Sequence, residues 1–407
     1  MPLDARKEIG RRIARQRRRR GLSQAVLAQL VGRSESWLSQ VERGHRSVDR
    51  HSVLVRLAEI LGVEVSRLIP GETAAEVVRY EPVAAIREAM THYGALPRVV
   101  HGRVSTGRRP PLRWLSHEMR RANGLYQAAR YDEAGRLLPG LIDAVEEARS
   151  SCAPADRRAA DTVRALVYHS ATMTLSRVGE AELAWTAADR AVAAAEAAER
   201  PLLAAVSAYR LGYVLIRLRR AEQAEDLLLR TADALAASSR RARPPALSVH
   251  GGLYLAAAAA AAARFDGAGT ARHLEAAQEL AGRLGGDRND FWSAFGPTNV
   301  AIHEVSAAVA FGDADSALRR GESLDVDRLG PGLLGRRAQV LLDLARAYGL
   351  RRKDAAAVNT LLRAEQVSPE LVRYDSRTNE LLTELVRREH RVSTPELRGL
   401  AHRAGVL

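Results

Sequence analysis

The chain has 407 residues, with Lys+Arg 62 against Asp+Glu 48, and one cysteine. This length exceeds one ordinary domain, so a small domain joined to a larger body is expected. Cys152 alone can neither close an intramolecular disulfide nor build a cysteine-based zinc cluster, which points to a reducing cytoplasm. The longest apolar run, Leu253 to Ala263, is eleven residues and mostly alanine, and no basic-then-apolar leader opens the sequence, so neither secretion nor a membrane span is expected.

Charge is distributed unevenly. Residues 1–71 hold 15 Lys/Arg and 7 Asp/Glu, a net +8 out of the total +14. Such a concentration suits a polyanion-binding module attached to a nearly balanced body. Only Lys7 and Lys353 are lysines, so the abundance of arginine reflects a GC-rich genome as much as function and carries little weight by itself.

Helical periodicity runs through nearly the whole sequence, while alternating Val/Ile/Thr runs between turn signals are missing. An all-α protein is expected. Its first part divides into Ile9 to Arg20, Ser23 to Leu30, Ser34 to Arg43, about Arg50 to Leu61, and a last turn near Val65 to Ile69. Gly21, Gly32, Gly44 and Gly62 act as stops, and Ser23 and Ser34 as N-caps. A connector over 72–111 holds one amphipathic helix, Pro82 to Tyr93, and a basic Gly/Pro/Ser-rich linker whose Arg103, Arg108 and Arg109 read as solvated charge.

From Leu112 the chain repeats itself as helix pairs with a small residue early in each second helix: Ala134, Ala184, Ala224, Ala268, Ala317 and Ala357, spaced 50, 40, 44, 49 and 40 residues apart. A small side chain there lets the two helices of a hairpin approach closely. These units resemble the tetratricopeptide repeat in degenerate form, with Gly212 after Leu211 at its Leu-Gly pair, Ala188 and Ala191 at later small positions, and Pro369 at its terminal proline. The resemblance covers residues 112–367, and residues 368–407 read as capping helices.

Within residues 22–44, Leu27, Ala28, Val31, Leu38 and Val41 form an apolar seam between two short helices, leaving the polar face of the second free for a major groove. This segment, and the five-helix domain of residues 1–71 around it, resembles the lambda-repressor-like helix-turn-helix of the Xre/Cro family. The resemblance implies a DNA-binding domain and places Glu35, Ser36 and Gln40 where the family reads base edges, with Ser39 on the same face and Arg33 and Ser34 at its entry. It places Gln24 where the family grips a phosphate and braces the reading helix, Arg43 and Arg46 on phosphates, the Arg17 to Arg20 run as a field beside them, and Arg17 with Glu42 as an internal ion pair. Glu35 is an acceptor only; it either specifies a cytosine amino group or pairs with a neighbour such as Arg33. Trp37 reads as hydrophobic support.

A stacked array carries a concave groove lined by its first helices, and the repeat alignment directs Asn123, Tyr126, His169, Met173, Tyr209, Tyr213, His250, Asn299 and His303 toward it. Amides, phenols and imidazoles there suit an extended peptide backbone or another small effector, or else satisfy one another within the array. The stretch from Phe295 to His303 resembles a segment of actinobacterial Xre-type regulators with repeat-rich C-terminal halves. The layout as a whole is similar to the peptide-responsive (RRNPP) quorum-sensing regulators of Gram-positive bacteria, which implies a homodimeric, cytoplasmic transcription regulator acting on double-stranded DNA at a pseudo-palindromic operator. The alternative is a repeat-based interaction scaffold that sequesters a protein partner, with DNA contact secondary. No cofactor or metal is expected. No catalytic activity is expected either: no Gly-x-x-x-x-Gly-Lys occurs, His303-Glu304 lacks a second histidine because Ala307 stands there, and Cys152 has no evident base.

Overall fold

Capping and periodicity generate an all-α chain. In the computed structural model the described residues are 3–20, 22–48, 51–61, 63, 68, 80–92, 110–238, 243–326, 329–390 and 392–407. They divide into two units, Met1–Val77 and Val78–Leu407.

The first unit contains α1 (Leu3–Arg19), α2 (Gln24–Val31), α3 (Glu35–Glu42) and α4 (His51–Leu61). The two short helices start where their serines predict. Ser23 Oγ accepts the Val26 N–H and Ser34 Oγ accepts the Trp37 N–H, both at 3.1 Å, satisfying donors that a helix start leaves open. Gly32 ends α2 in the left-handed conformation (φ 71°). Ile13, Leu27, Leu38, Leu57 and Leu68 are fully buried in this unit's core, with half-buried Trp37 packed against them. A Cβ on Gly10 would stand 2.1 Å from the Val41 carbonyl oxygen, so only glycine lets α1 lie this close to α3. The expected stops Gly21 and Gly62, the turn residues Asp49 and Arg50, and all of the expected last turn except Leu68 lie outside the described residues.

The second unit opens with α5 (Val83–Thr91), whose Ile86 and Met90 are buried and which packs against α7 (Tyr131–Ser151). The connector helix is thus part of the body. Arg103, Arg108 and Arg109 lie outside the described residues. Six hairpins follow: α6 (Leu112–Gln127) with α7, α8 (Arg157–Arg177) with α9 (Ala181–Ala197), α10 (Pro201–Arg217) with α11 (Ala221–Ser238), α12 (Pro244–Ala263) with α13 (Gly267–Leu284), α14 (Pro297–Ala310) with α15 (Ala314–Glu322), and α16 (Leu334–Leu350) with α17 (Asp354–Val367).

All six hairpins share one turn. The residue closing the first helix is left-handed: Ala129, Gly179, Arg219, Phe265, Gly312 and Arg352. The next N–H then reaches back to a carbonyl inside the helix, as from Arg220 to Leu215 at 2.8 Å and from Lys353 to Tyr348 at 3.0 Å. Further along stand the buried small residues Ala134, Ala184, Ala224, Thr270, Ala317 and Ala357. Ala268, the expected fourth anchor, is exposed. Arg264-Phe-Asp looks like Arg130-Tyr-Asp, yet Phe265 itself takes the left-handed position and Asp266 caps α13 through the Gly269 N–H at 2.8 Å, which moves the register on to Thr270.

The array closes on itself. Its first helices α6, α8, α10, α12, α14 and α16 pack in sequence, and α16 packs back on α6. One core cluster therefore unites Leu138, Val167 and Ala187 with Leu342, Leu361 and Leu397. Of the final helices, α19 (Ser376–Arg387) and α20 (Leu397–Arg403) lie on the last pair, Arg388 pairing with Asp354 and Arg403 with Glu365, while α18 (Pro369–Tyr374) joins that pair to the first. Glu370 accepts the Asp132 N–H at 2.9 Å, and the Tyr374 hydroxyl donates to Asp132 Oδ1 at 2.8 Å. Tyr80 stands edge-on to Tyr374, ring centroids 5.6 Å apart, and donates to the Tyr131 carbonyl at 2.5 Å. Helix α12 is long and apolar enough to cross a membrane by composition, but most of it is buried between α11 and α13.

Candidate functional site

Helix α3 is held by polar bracing on one side and apolar packing on the other. Leu38 and Val41 face the core. Glu42, also buried, receives Arg17 Nε on Oε1 at 2.7 Å and Arg17 Nη2 on Oε2 at 2.9 Å, a two-pronged pair whose planar geometry fixes orientation as well as charge. Gln24 Nε2 donates to the same carboxylate at 2.6 Å, and Arg17 Nη1 donates to the Leu22 carbonyl at 2.8 Å. One carboxylate thus ties together α1, the start of α2 and the end of α3.

The opposite face is open. Glu35 and Ser36 are exposed, and Ser39 and Gln40 are half-buried beside them. Ser34 Oγ is engaged as the cap, and Ser39 Oγ accepts from Arg43 Nη2 at 3.0 Å. The exposed Arg33 guanidinium lies over the Trp37 ring, 5.7 Å from its centroid, and forms no ion pair with Glu35 among the described residues. The carboxylate of Glu35 is left facing outward, and Arg43 and Arg46 are exposed past the end of the helix.

The basic field differs from the run expected at Arg17 to Arg20. Arg17 is consumed by Glu42, and Arg20 Nη1 donates to the Ile60 carbonyl at 2.9 Å. Instead, Arg11, Arg15 and Arg18, on one face of α1, join Arg43 around a concavity of about 570 Å³ that also exposes Gln24 and Ser39. Arg11 and Arg15 are the contributors the sequence did not single out; their spacing of four residues was the available signal.

In the second unit, ring closure leaves a hub between first helices where a groove is expected. A cavity of about 90 Å³ remains at its centre, and of the residues expected there Tyr126, Met173, Tyr209 and Tyr213 line it. The others do not. Asn123 is buried and donates to the Met119 carbonyl at 3.1 Å; His169 is buried, its Nε2 2.8 Å from Ser207 Oγ; His250 lies against Tyr254, ring centroids 5.3 Å apart; Asn299 is buried in α14. His303 is half-buried and within the electrostatic reach of Arg336.

Arginines complete the cavity lining: Arg177, Arg210, Arg217 and Arg336, with no acidic residue among the lining groups. Arg210 Nη2 donates to the Phe291 carbonyl at 2.8 Å and its guanidinium lies 4.7 Å from the Tyr209 ring centroid, but its buried Nε has no partner. Arg177 donates to Gln339 at 3.2 Å. Arg217 is exposed, with Arg177 close by. Burial raises the Tyr126 phenol, yet Arg177, Arg336 and Arg210 together outweigh it and leave the group below its ordinary range. Four guanidinium groups thus gather at the hub, with Asp375 behind the lining acting on Arg177 and Arg217. Sequence signals for two of these arginines existed: Arg177 and Arg217 each lie one helical turn beyond the lining residues Met173 and Tyr213.

Comparison with known proteins gives three results. No curated protein matches the chain. Among solved structures, the chain is similar to PlcR of Bacillus thuringiensis, determined in complex with the peptide PapR7 and DNA, at 12% identity over 87% of this chain and 99% of that one, with a TM-score of 0.34. Residues 8–68 match the protein family described as a helix-turn-helix domain, in agreement with the capped pair α2 and α3, so the first unit contains a helix-turn-helix domain.

Proposed function

We propose that the protein is a sequence-specific DNA-binding transcriptional regulator, acting as a homodimer, whose repeat body senses an effector. The observation that carries this reading is the polar face of α3, braced from behind by Arg17, Gln24 and Glu42 and flanked by exposed arginines. Ser36 and Gln40 present hydrogen-bonding groups at base-edge positions, and Glu35 presents an acceptor suited to a cytosine amino group. Arg15, Arg18, Arg43 and Arg46 supply the sequence-independent attraction to phosphates.

One recognition helix spans too few base pairs for a specific site, and two such helices about 34 Å apart read a pseudo-palindrome. In this scheme residues 1–71 bind DNA, 72–111 connect, and 112–407 hold the sensor. Effector binding shifts the population of conformations of the ring, and the connector passes that shift to the paired DNA-binding units. The test is selection of genomic fragments by the full chain, followed by footprinting and light-scattering mass. The expected result is protection of two half-sites one helical turn apart by a dimer. Equal affinity for all duplexes at physiological salt overturns the reading.

A further inference from the structure

We propose that the hub of the repeat body is a binding site for a small oxyanion carrying two or more negative charges, held by Arg177, Arg210, Arg217 and Arg336 with Tyr126 and Tyr213. This names the effector class and so rests on the sensor reading above, although the site itself stands on separate observations.

Four guanidinium groups converge on one cavity with no carboxylate in its lining. Elsewhere in the body several buried or half-buried arginines are neutralised: Arg149 by Asp161 at 2.6 Å, Arg388 by Asp354 at 2.9 Å, and Arg346 by Asp343 at 2.7 Å and also by Asp375. Arg217 and Arg336 make no side-chain hydrogen bond or ion pair with any described residue, and Arg210, only 8% exposed, leaves Nε unpartnered. The Tyr213 hydroxyl is likewise buried without a partner. The Arg210 Nε and the Tyr213 hydroxyl are buried donors left open, which is costly, so the cavity, with half-buried Arg336 and exposed Arg217 along its lining, calls for an anionic acceptor supplied from outside the chain.

Size and geometry narrow the class. A cavity of about 90 Å³ has room for roughly six to nine water-sized groups, the scale of a phosphate, a pyrophosphate or a compact polycarboxylate. Guanidinium forks match the paired oxygens of both chemistries. A smaller lobe of about 30 Å³ continues past Arg210 to Trp292 and Leu333 and shares Tyr126, Arg177 and Arg336 with the main cavity, leaving space for a short extension of the ligand.

The test is calorimetric titration and thermal unfolding of the full chain, free of DNA, with inorganic phosphate, pyrophosphate and citrate at ionic strength matched with sodium chloride. At least one of these anions is expected to raise the melting temperature of the wild type, and the pattern across the three separates phosphate from carboxylate recognition. Arg217→Gln and Arg336→Gln are each expected to weaken that binding roughly tenfold or more, the loss of a charge-assisted contact. The unliganded melting temperature of both variants is expected to stay close to that of the wild type, because neither side chain makes a hydrogen bond or ion pair with a described residue; a merely structural arginine would lower it. Absence of binding by all three anions at millimolar concentration overturns the proposal, and so does wild-type affinity in both variants. Operator affinity is measured separately: binding that leaves it unchanged removes the sensor reading and keeps the site, whereas failure to bind any operator leaves the anion result standing.

Discussion

Arg17 and Glu42 meet through two parallel hydrogen bonds of 2.7 and 2.9 Å, both side chains nearly excluded from solvent. The pair joins α1 to the last turn of α3 within the helix-turn-helix unit. Glu42→Ala strands the guanidinium and is expected to destabilise this unit by about 3 kcal/mol, the usual cost of breaking a buried ion pair from one side. Arg17→Met combined with Glu42→Leu recovers most of that loss. Denaturant unfolding followed at Trp37, in a background where the other tryptophans are phenylalanine, checks both.

Base contact and phosphate contact separate in their salt response. Gln40→Ala is expected to cost about 1–3 kcal/mol on the selected operator and almost nothing on random duplex. Arg43→Ala weakens both by a similar factor and lowers the slope of log affinity against log salt by about one. Fluorescence anisotropy at several salt concentrations measures each. If Glu35 reads a cytosine, Glu35→Gln relaxes the preference at one position of each half-site without changing the salt slope.

Burial, reinforced by Arg210, depresses the His169 imidazole to about 3, whereas in an unfolded chain it titrates near 6.5. The sign follows from linkage: the unfolded chain takes up the proton first, so the stabilising contribution is complete above about pH 6.5 and is lost as the pH falls toward 3. Between pH 7 and pH 5 the repeat body is expected to lose about 2 kcal/mol through this residue. His169→Gln, which can keep a hydrogen bond to Ser207, flattens that part of the profile. Melting temperatures across the range check it.

The shared hairpin turn predicts two opposite effects. Arg219 is exposed and left-handed, a conformation that disfavours any side chain, so Arg219→Gly is expected to stabilise the body by about 0.5–1 kcal/mol. Ala224 is fully buried where α10 meets α11, and Ala224→Leu is expected to destabilise by about 1–3 kcal/mol through overpacking. Thermal unfolding distinguishes the signs.

Local chemistry was legible in the sequence and distant chemistry was not. Ser23, Ser34 and Gly32 announced α2 and α3 because a cap acts within one turn of the residue that makes it. Five of the six small anchors were visible for the same reason, and Ala268 misled because backbone handedness at Phe265 is a geometric choice that a residue type does not encode. Ring closure rests on pairs such as Asp132 with Glu370 and Gln127 with Asn289, whose partners lie far apart in the chain and leave no periodic signal. The cavity's tyrosines stood out by their rarity, while its arginines were hidden in a chain where nearly every cation is arginine.

A row of hairpins with free ends yields like a spring, each unit giving a little and passing on less. A hoop distributes load around its circumference, and the hub cavity is lined by four of the first helices, α6, α8, α10 and α16. The clasp of this hoop, where Tyr80, Tyr374 and Asp132 interlock, stands at the point where the chain enters from the DNA-binding unit. Loosening that clasp would free the first hairpin from the last, and the load would no longer be shared.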